Sequence, residues 1–245
     1  MVSSELERDV LREGERVLEG AAQAGVPLRL LGGVAGQLRA GDRLPPALRR
    51  TCGDLDFVTA RNASAPAQRL FRELGYEPHV SFNALNGKER LLFFDPAHER
   101  QVDVFVGSFR MCHTIPIEDR LEVDRVSIPL AELLLTKLQV IELNEKDVQD
   151  AVAILHGREV GERDGETVNG ARVAALCAAD WGLWRTITAN LRTCLDRLDR
   201  YGVDVRERIA ELVARIEAEP KSRAWRVRAK IGDRKRWYEL PEERA

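Results

Sequence analysis

Residues 50–60, RTCGDLDFVTA, place Asp54 and Asp56 one residue apart at the head of a short apolar run. Read as a strand, residues 54–58 alternate their side chains between two faces. Both carboxylates then point the same way, while Leu55 points into the opposite layer. Two neighbouring carboxylates repel, and burial makes the repulsion worse unless a cation lies between them. The plain alternative is a turn with both aspartates in water. The rest of the chain has to decide between the two.

The chain has 245 residues, 44% apolar and 32% charged, with a net charge of −2. That suits a soluble protein of one large domain, or a domain with a helical extension, without overall bias towards nucleic acid or membrane. No apolar run approaches the length of a membrane span, and the amino terminus reads as having no signal-peptide core. Cys52, Cys112, Cys177 and Cys194 are scattered, with no CxxC pair. Zinc and a disulfide framework do not fit this pattern, and a reducing cytoplasm does.

Helical spacing of Val10, Val17, Leu18 and Ala21 predicts a first helix starting at Ser3 or Ser4 and ending near residue 24. An apolar run, residues 28–31, leads into Gly32-Gly33 and a second helix, and residues 65–74 predict a third. Asn86-Gly87 predicts a hairpin turn between HVSFNAL and RLLFF, and Asp95-Pro96 a second reversal. The next run, QVDVFV (101–106), alternates: Val102, Val104 and Val106 on one face, Asp103 and Phe105 on the other. Beyond Pro129 the pattern is helical, at 131–143, 146–155, 167–179, 181–199 and 204–218, with a glycine-rich linker at HGREVGERDGE. The expected architecture is α+β: a mixed sheet flanked by helices in residues 1–160, then a helical region, 161–245.

Asp103 is a lone acid in an apolar run. Were its strand to lie beside DLDF, three carboxylates would converge. That is the arrangement of hard oxygen ligands that magnesium ions need to bridge a triphosphate. Lys137 sits in a helix among Leu133, Leu134, Val140 and Ile141, so its stem leaves from an apolar stripe. It either snorkels to the nearest surface or enters a cleft to meet phosphate oxygens or an aspartate.

Leu31-Gly32-Gly33, then Gly53-Asp-Leu-Asp-Phe57, then Val102-Asp103-Val104 resembles the DNA polymerase β superfamily of nucleotidyltransferases. The stretch from Lys137 to Asp150, KLQVIELNEKDVQD, is similar to a segment of AbiEii-type toxins and related minimal nucleotidyltransferases, a group close to the aminoglycoside nucleotidyltransferases. The resemblance covers about residues 26–156 and implies roles. Gly32 and Gly33 would let backbone amides approach the triphosphate. Asp54, Asp56 and Asp103 would hold magnesium in a two-metal site, and Asp103 would accept the proton of the attacking hydroxyl. Lys137 would contact the nucleotide phosphates, with Asp147 and Asp150 in support. This sequence departs from the family in two ways. Twenty residues separate Gly33 from Asp54, and Asn144 stands where relatives carry arginine. Asp54-Leu-Asp-Phe-Val58 also satisfies the pattern of haloacid-dehalogenase-like phosphatases, and the glycosyltransferase DxD is similar. Both need a buried strand before the first aspartate, and RRTCG stands there.

Near the carboxy terminus, residues 225–231, WRVRAKI, alternate apolar and basic before Gly232-Asp233. This predicts a terminal β-hairpin with Arg226, Arg228 and Lys230 on one face and Trp225, Val227 and Ile231 on the other. The basic face is either solvated or a contact for an acidic partner such as RNA. Trp237 and Tyr238 either cover the helical core or stack on a base.

The expected activity is magnesium-dependent transfer of a nucleoside monophosphate from an NTP to an acceptor hydroxyl, releasing pyrophosphate. The acceptor, whether small molecule, RNA or protein, is not legible, nor is a toxin, resistance or housekeeping role. The alternative is a catalytically silent module of the same fold that binds nucleotide, RNA or a partner protein.

Overall fold

A computed structural model describes residues 5–40 and 44–240. It is α+β, with ten α-helices and a mixed five-stranded sheet among the described residues. The chain divides into two compact units, one formed by residues up to Arg39, Arg50–Phe109 and Pro116–Ile128, the other by Ala40–Arg49, Arg110–Ile115 and everything from Pro129. The expected boundary near Gly161 falls inside the second unit, where Val160–Gly161 pairs in parallel with Val168–Asn169.

The first unit contains the sheet: β1 (Leu28–Leu31), β2 (Leu55–Thr59), β3 (Glu77–Pro78), β4 (Arg90–Asp95) and β5 (Arg100–Val106), ordered β1-β2-β5-β4-β3. Only β2 and β5 run parallel; the other neighbours are antiparallel. One face carries Leu28, Leu30, Leu55, Phe57, Val102, Val104, Leu91 and Phe93, all essentially inaccessible. Helices α1 (Val10–Gln23) and α3 (Ser64–Glu73) cover it. Phe71 of α3 stacks on Phe93 at 4.7 Å between centroids and meets Phe57 edge-on at 5.7 Å. Asp9 caps α1, accepting from the Leu11 and Arg12 amides. The expected start at Ser3 or Ser4 lies outside the described residues.

Two local expectations fail. HVSFNAL forms helix α4 (Val80–Asn86), not a strand. His79 Nδ1 accepts from the Phe82 amide at its start, and the Asn83 amide group bonds both Leu92 N and Leu92 O. One asparagine side chain thus bonds the β4 backbone at Leu92 where a strand was expected to pair, and Val80 and Leu85 of the helix are exposed. The second failure is the terminal hairpin. Residues 223–231 are helix α10 (Arg223–Ile231), capped by Ser222 and ended by Gly232 at φ +59°. Seven alternating residues satisfy a helix as well as a strand when the inward positions fit the helical period. Trp225 donates Nε1–H to Cys177 O, and Arg228 stacks on Trp181 at 4.3 Å.

In the second unit, α5 (Leu130–Leu138) is buried on nearly every side: its leucines and Ala131 fill the core, while Glu132 is neutralised by Arg172 and Lys137 pairs with Asp150. It is packed by α6 (Glu145–Gly157), α7 (Gly170–Ala179) and α8 (Trp181–Arg197); α9 (Arg206–Ala218) lies on α7 and α8. Helix α5 stops short of the expected residue 143 because Asn190 on α8 donates to Leu138 O at 2.7 Å and Val140 O at 2.6 Å, satisfying its terminal carbonyls. Trp237 covers this core, edge-on to Trp181 and donating to Thr186 Oγ1. All four cysteines are buried free thiols. No helix among the described residues is long and apolar enough to cross a membrane.

Candidate active site

The second face of the sheet carries the polar residues. Register partners in a sheet share a face, and Asp56 pairs with Asp103 across the parallel β2–β5 ladder. The alternation of β5 is therefore realised as read: its valines go to the core and Asp103 and Phe105 to the other side. Asp54 precedes β2 and is exposed, so it stands at the strand's edge, not on it. Among the described residues no group of three His, Cys, Asp or Glu side chains is close enough to hold a metal ion. The structure brings Asp56 and Asp103 together and leaves Asp54 on the approach.

On its other side Asp56 is paired with Leu31, the last residue of β1. The chain turns there at Gly32, φ +71°, to begin α2 (Gly32–Ala40). A Cβ on Gly32 would overlap the Asp56 carboxylate, so only glycine fits, by conformation and by space. At Gly33 a Cβ would stand 2.9 Å from Cys52 Sγ and would overlap the Arg50 guanidinium. The twenty residues between Gly33 and Asp54 therefore do not separate the glycine pair from the carboxylates. Antiparallel pairing of β1 and β2 returns the chain to the same end of the sheet, so the start of α2 lies beside Asp56.

Asp103 is 4% exposed and fully engaged. Its Oδ1 accepts from Arg90 Nε at 2.7 Å and its Oδ2 from Gln101 Nε2 at 2.8 Å. Arg90 lies on β4 opposite Phe105, and its guanidinium covers the Phe105 ring at 5.2 Å and the Phe82 ring at 6.0 Å. Sequence reading missed Arg90. The signal was present, since the alternation of RLLFF sets Arg90 and Leu92 on one face, but a strand's register with its neighbour is not written in either strand alone.

Two hard carboxylates side by side suit a magnesium ion, which takes one or two protein carboxylates and fills its shell with water and phosphate oxygens. Arg90 is the competing cation for one of them.

Lys137 belongs to the second unit. Its Nζ lies 2.8 Å from Asp150 Oδ2 and 3.8 Å from Asp147 Oδ1, with Asp150 almost wholly buried. These two aspartates are on α6 and are not the Asp54, Asp56 or Asp103 carboxylates that the sequence reading offered it. Asn144, standing where the resembled family has arginine, caps α6 by accepting from the Asp147 amide at 3.0 Å. Arg226, Arg228 and Lys230 do not share a face. Arg228 turns inward, while Arg226 and Lys230 point out with Arg223.

No protein-family model and no curated protein matches the sequence. Among solved structures, an antigenic nucleotidyltransferase-like protein from Paracoccidioides brasiliensis aligns over 88% of this chain and 95% of its own, at 15% identity and a TM-score of 0.40. At that distance, what the site does has to be argued from its own residues.

Proposed function

We propose that the polar face of the sheet binds an NTP with magnesium and transfers its nucleoside monophosphate to an acceptor hydroxyl. The observation that carries this is one juxtaposition: Asp56 lies between Asp103 on β5 and the Gly32 turn on β1. Magnesium bound there would neutralise phosphate charge and align the reacting phosphorus. The Gly32-Gly33 turn adds no side chain of its own over its backbone N–H groups, and phosphate oxygens would reach them past the Asp56 carboxylate and the Arg50 guanidinium that lie against the two glycines. Asp56 holds the cation side of that contact. Asp103 takes the hydroxyl proton in this reading, which requires Arg90 to move off its Oδ1. Lys137 is not needed for this reading, because its charge already serves Asp147 and Asp150.

The Arg90–Asp103 pair also favours the second reading, a silent module in which arginine permanently replaces the metal. Thermal shift with non-hydrolysable analogues of the four NTPs separates them, run with and without magnesium on wild type and Asp54→Asn/Asp56→Asn. Magnesium-dependent stabilisation that the double variant loses supports transfer. Stabilisation indifferent to magnesium supports the silent module.

For an acceptor, RNA is the class that the outward face of α10 suits. Arg223, Arg226 and Lys230 follow the helical repeat, and none has an ion-pair partner among the described residues.

A further inference from the structure

We propose that residues 233–240 form a strap that acid releases from the second unit, with His113 as its latch. The strap follows α10 and returns over α8 and the segment that holds His113. Strap, α8 and residues 110–113 all belong to the second unit.

The strap is held mainly by surface contacts. The Glu239 amide donates to Cys112 O at 3.0 Å, and Arg110 grips the Glu239 carboxylate through Nε and Nη2, each at 3.0 Å. Arg185 pairs with Asp233 at 3.1 Å and lies 5.6 Å from the Trp237 ring centroid. No side chain from 233 to 240 is fully buried; Trp237 and Tyr238 are half-buried and the rest are exposed. A segment held this way opens more cheaply than the packed helices below it.

The latch is a chain of three groups. Trp237 Nε1 donates to Thr186 Oγ1 at 3.2 Å, and His113 Nε2 lies 2.9 Å from the same oxygen. His113 is 6% exposed and Thr186 4%. In the closed latch a neutral imidazole takes the Thr186 hydroxyl proton at Nε2, which leaves Oγ1 to accept from Trp237. An imidazolium carries a proton on both nitrogens. Its Nε2 then competes with Trp237 for that oxygen, and a charge stands in a buried place.

Asp180 at the start of α8 and Glu239 on the strap favour the imidazolium, while Arg110 and Arg236 neutralise Glu239. Burial outweighs both acids and lowers the His113 pKa. Lifting the strap lets water reach the ring and returns it towards its ordinary value of 6.5. The open form therefore binds the proton more tightly than the closed one, and opening becomes easier as pH falls below that value. Arg110 holds the Glu239 carboxyl below its usual range, so the clamp outlasts the latch. Acid thus loosens the run Arg234-Lys235-Arg236 and leaves the helices beneath it folded.

The test is amide and indole hydrogen exchange of the full chain, followed by NMR from about pH 7.5 to about 5.5 and corrected for intrinsic exchange. Protection of the Glu239 amide and the Trp237 indole N–H should fall below about pH 6.5, by up to about tenfold per pH unit. The Ile187 and Leu191 amides of α8 should keep theirs. His113→Gln should make the strap's protection independent of pH, whereas Arg110→Ala should lower it at every pH and keep the dependence. By reciprocity, Trp237→Ala should raise the midpoint of His113 titration towards 6.5. Strap protection indifferent to pH, an unchanged dependence in His113→Gln, simultaneous loss at Ile187 and Leu191, or an unmoved His113 midpoint in Trp237→Ala would each overturn the proposal.

Discussion

Arg90 Nε donates to Asp103 Oδ1 at 2.7 Å, so the most buried carboxylate of the polar face is held by a cation from the neighbouring strand. The pair relieves the repulsion that Asp56 would otherwise impose on its register partner. It also sets the condition for any metal there, which must compete with a guanidinium.

Arg90→Ala should therefore separate the two cations. Removing the partner of a buried acid lowers stability, here by about 1–3 kcal/mol because Arg90 is itself one-third exposed. The same variant should bind magnesium more tightly than wild type. Urea denaturation at several magnesium concentrations measures both, and a variant that loses stability without gaining magnesium response would count for the silent module.

Gly32→Ala should cost about 1–3 kcal/mol, through its positive φ and the overlap with Asp56. Gly36→Ala, four residues on in the same helix with nothing near its Cβ position, should instead stabilise by about 0.5–1 kcal/mol. Equal behaviour of the two in thermal unfolding would show that the turn is not held against Asp56.

Lys137→Met leaves Asp150 buried without its cation, and a loss of about 3–5 kcal/mol is expected. Lys137→Met/Asp150→Leu should recover most of it. A double variant as unstable as the single one would show that Lys137 does more than neutralise Asp150.

His113 gives a pH signature. Burial lowers its pKa, only partly opposed by the charges of Asp180 and Glu239, and its imidazole meets Thr186 Oγ1 at 2.9 Å. The unfolded chain, with histidine near its ordinary value of 6.5, binds the proton first. Stability is therefore complete above about pH 6.5 and declines as pH falls towards the folded pKa, by at most about 1.4 kcal/mol per pH unit from this group. His113→Gln should flatten that part of the stability curve measured by urea titration between pH 5 and about 7.

The α10 variants should divide by face. Arg226→Ala/Lys230→Ala should weaken RNA binding and reduce its salt dependence by about two counterions, without changing the unfolding midpoint. Arg228→Ala should lower that midpoint, because Arg228 lies on Trp181 and donates to Gly232 O and Lys235 O. A hairpin would have made all three behave alike.

Some of this was legible because it is local. The strand after Asp54, the split of QVDVFV into a valine face and an Asp103 face, and the leucine-rich α5 all follow from residues within one periodic run. What tertiary structure decided was which runs meet. Pairing of β1 with β2 brought Gly32 to Asp56 across a long insertion, and the β4–β5 register gave Asp103 its arginine. HVSFNAL and WRVRAKI alternate like strands yet fold as helices, because a stretch of seven residues fits either period. For them the choice fell to Asn83 on the β4 edge and to Trp225 and Arg228 against α7 and α8. Periodicity is a property of the chain; the partner that rewards one period over another exists only once the chain has folded.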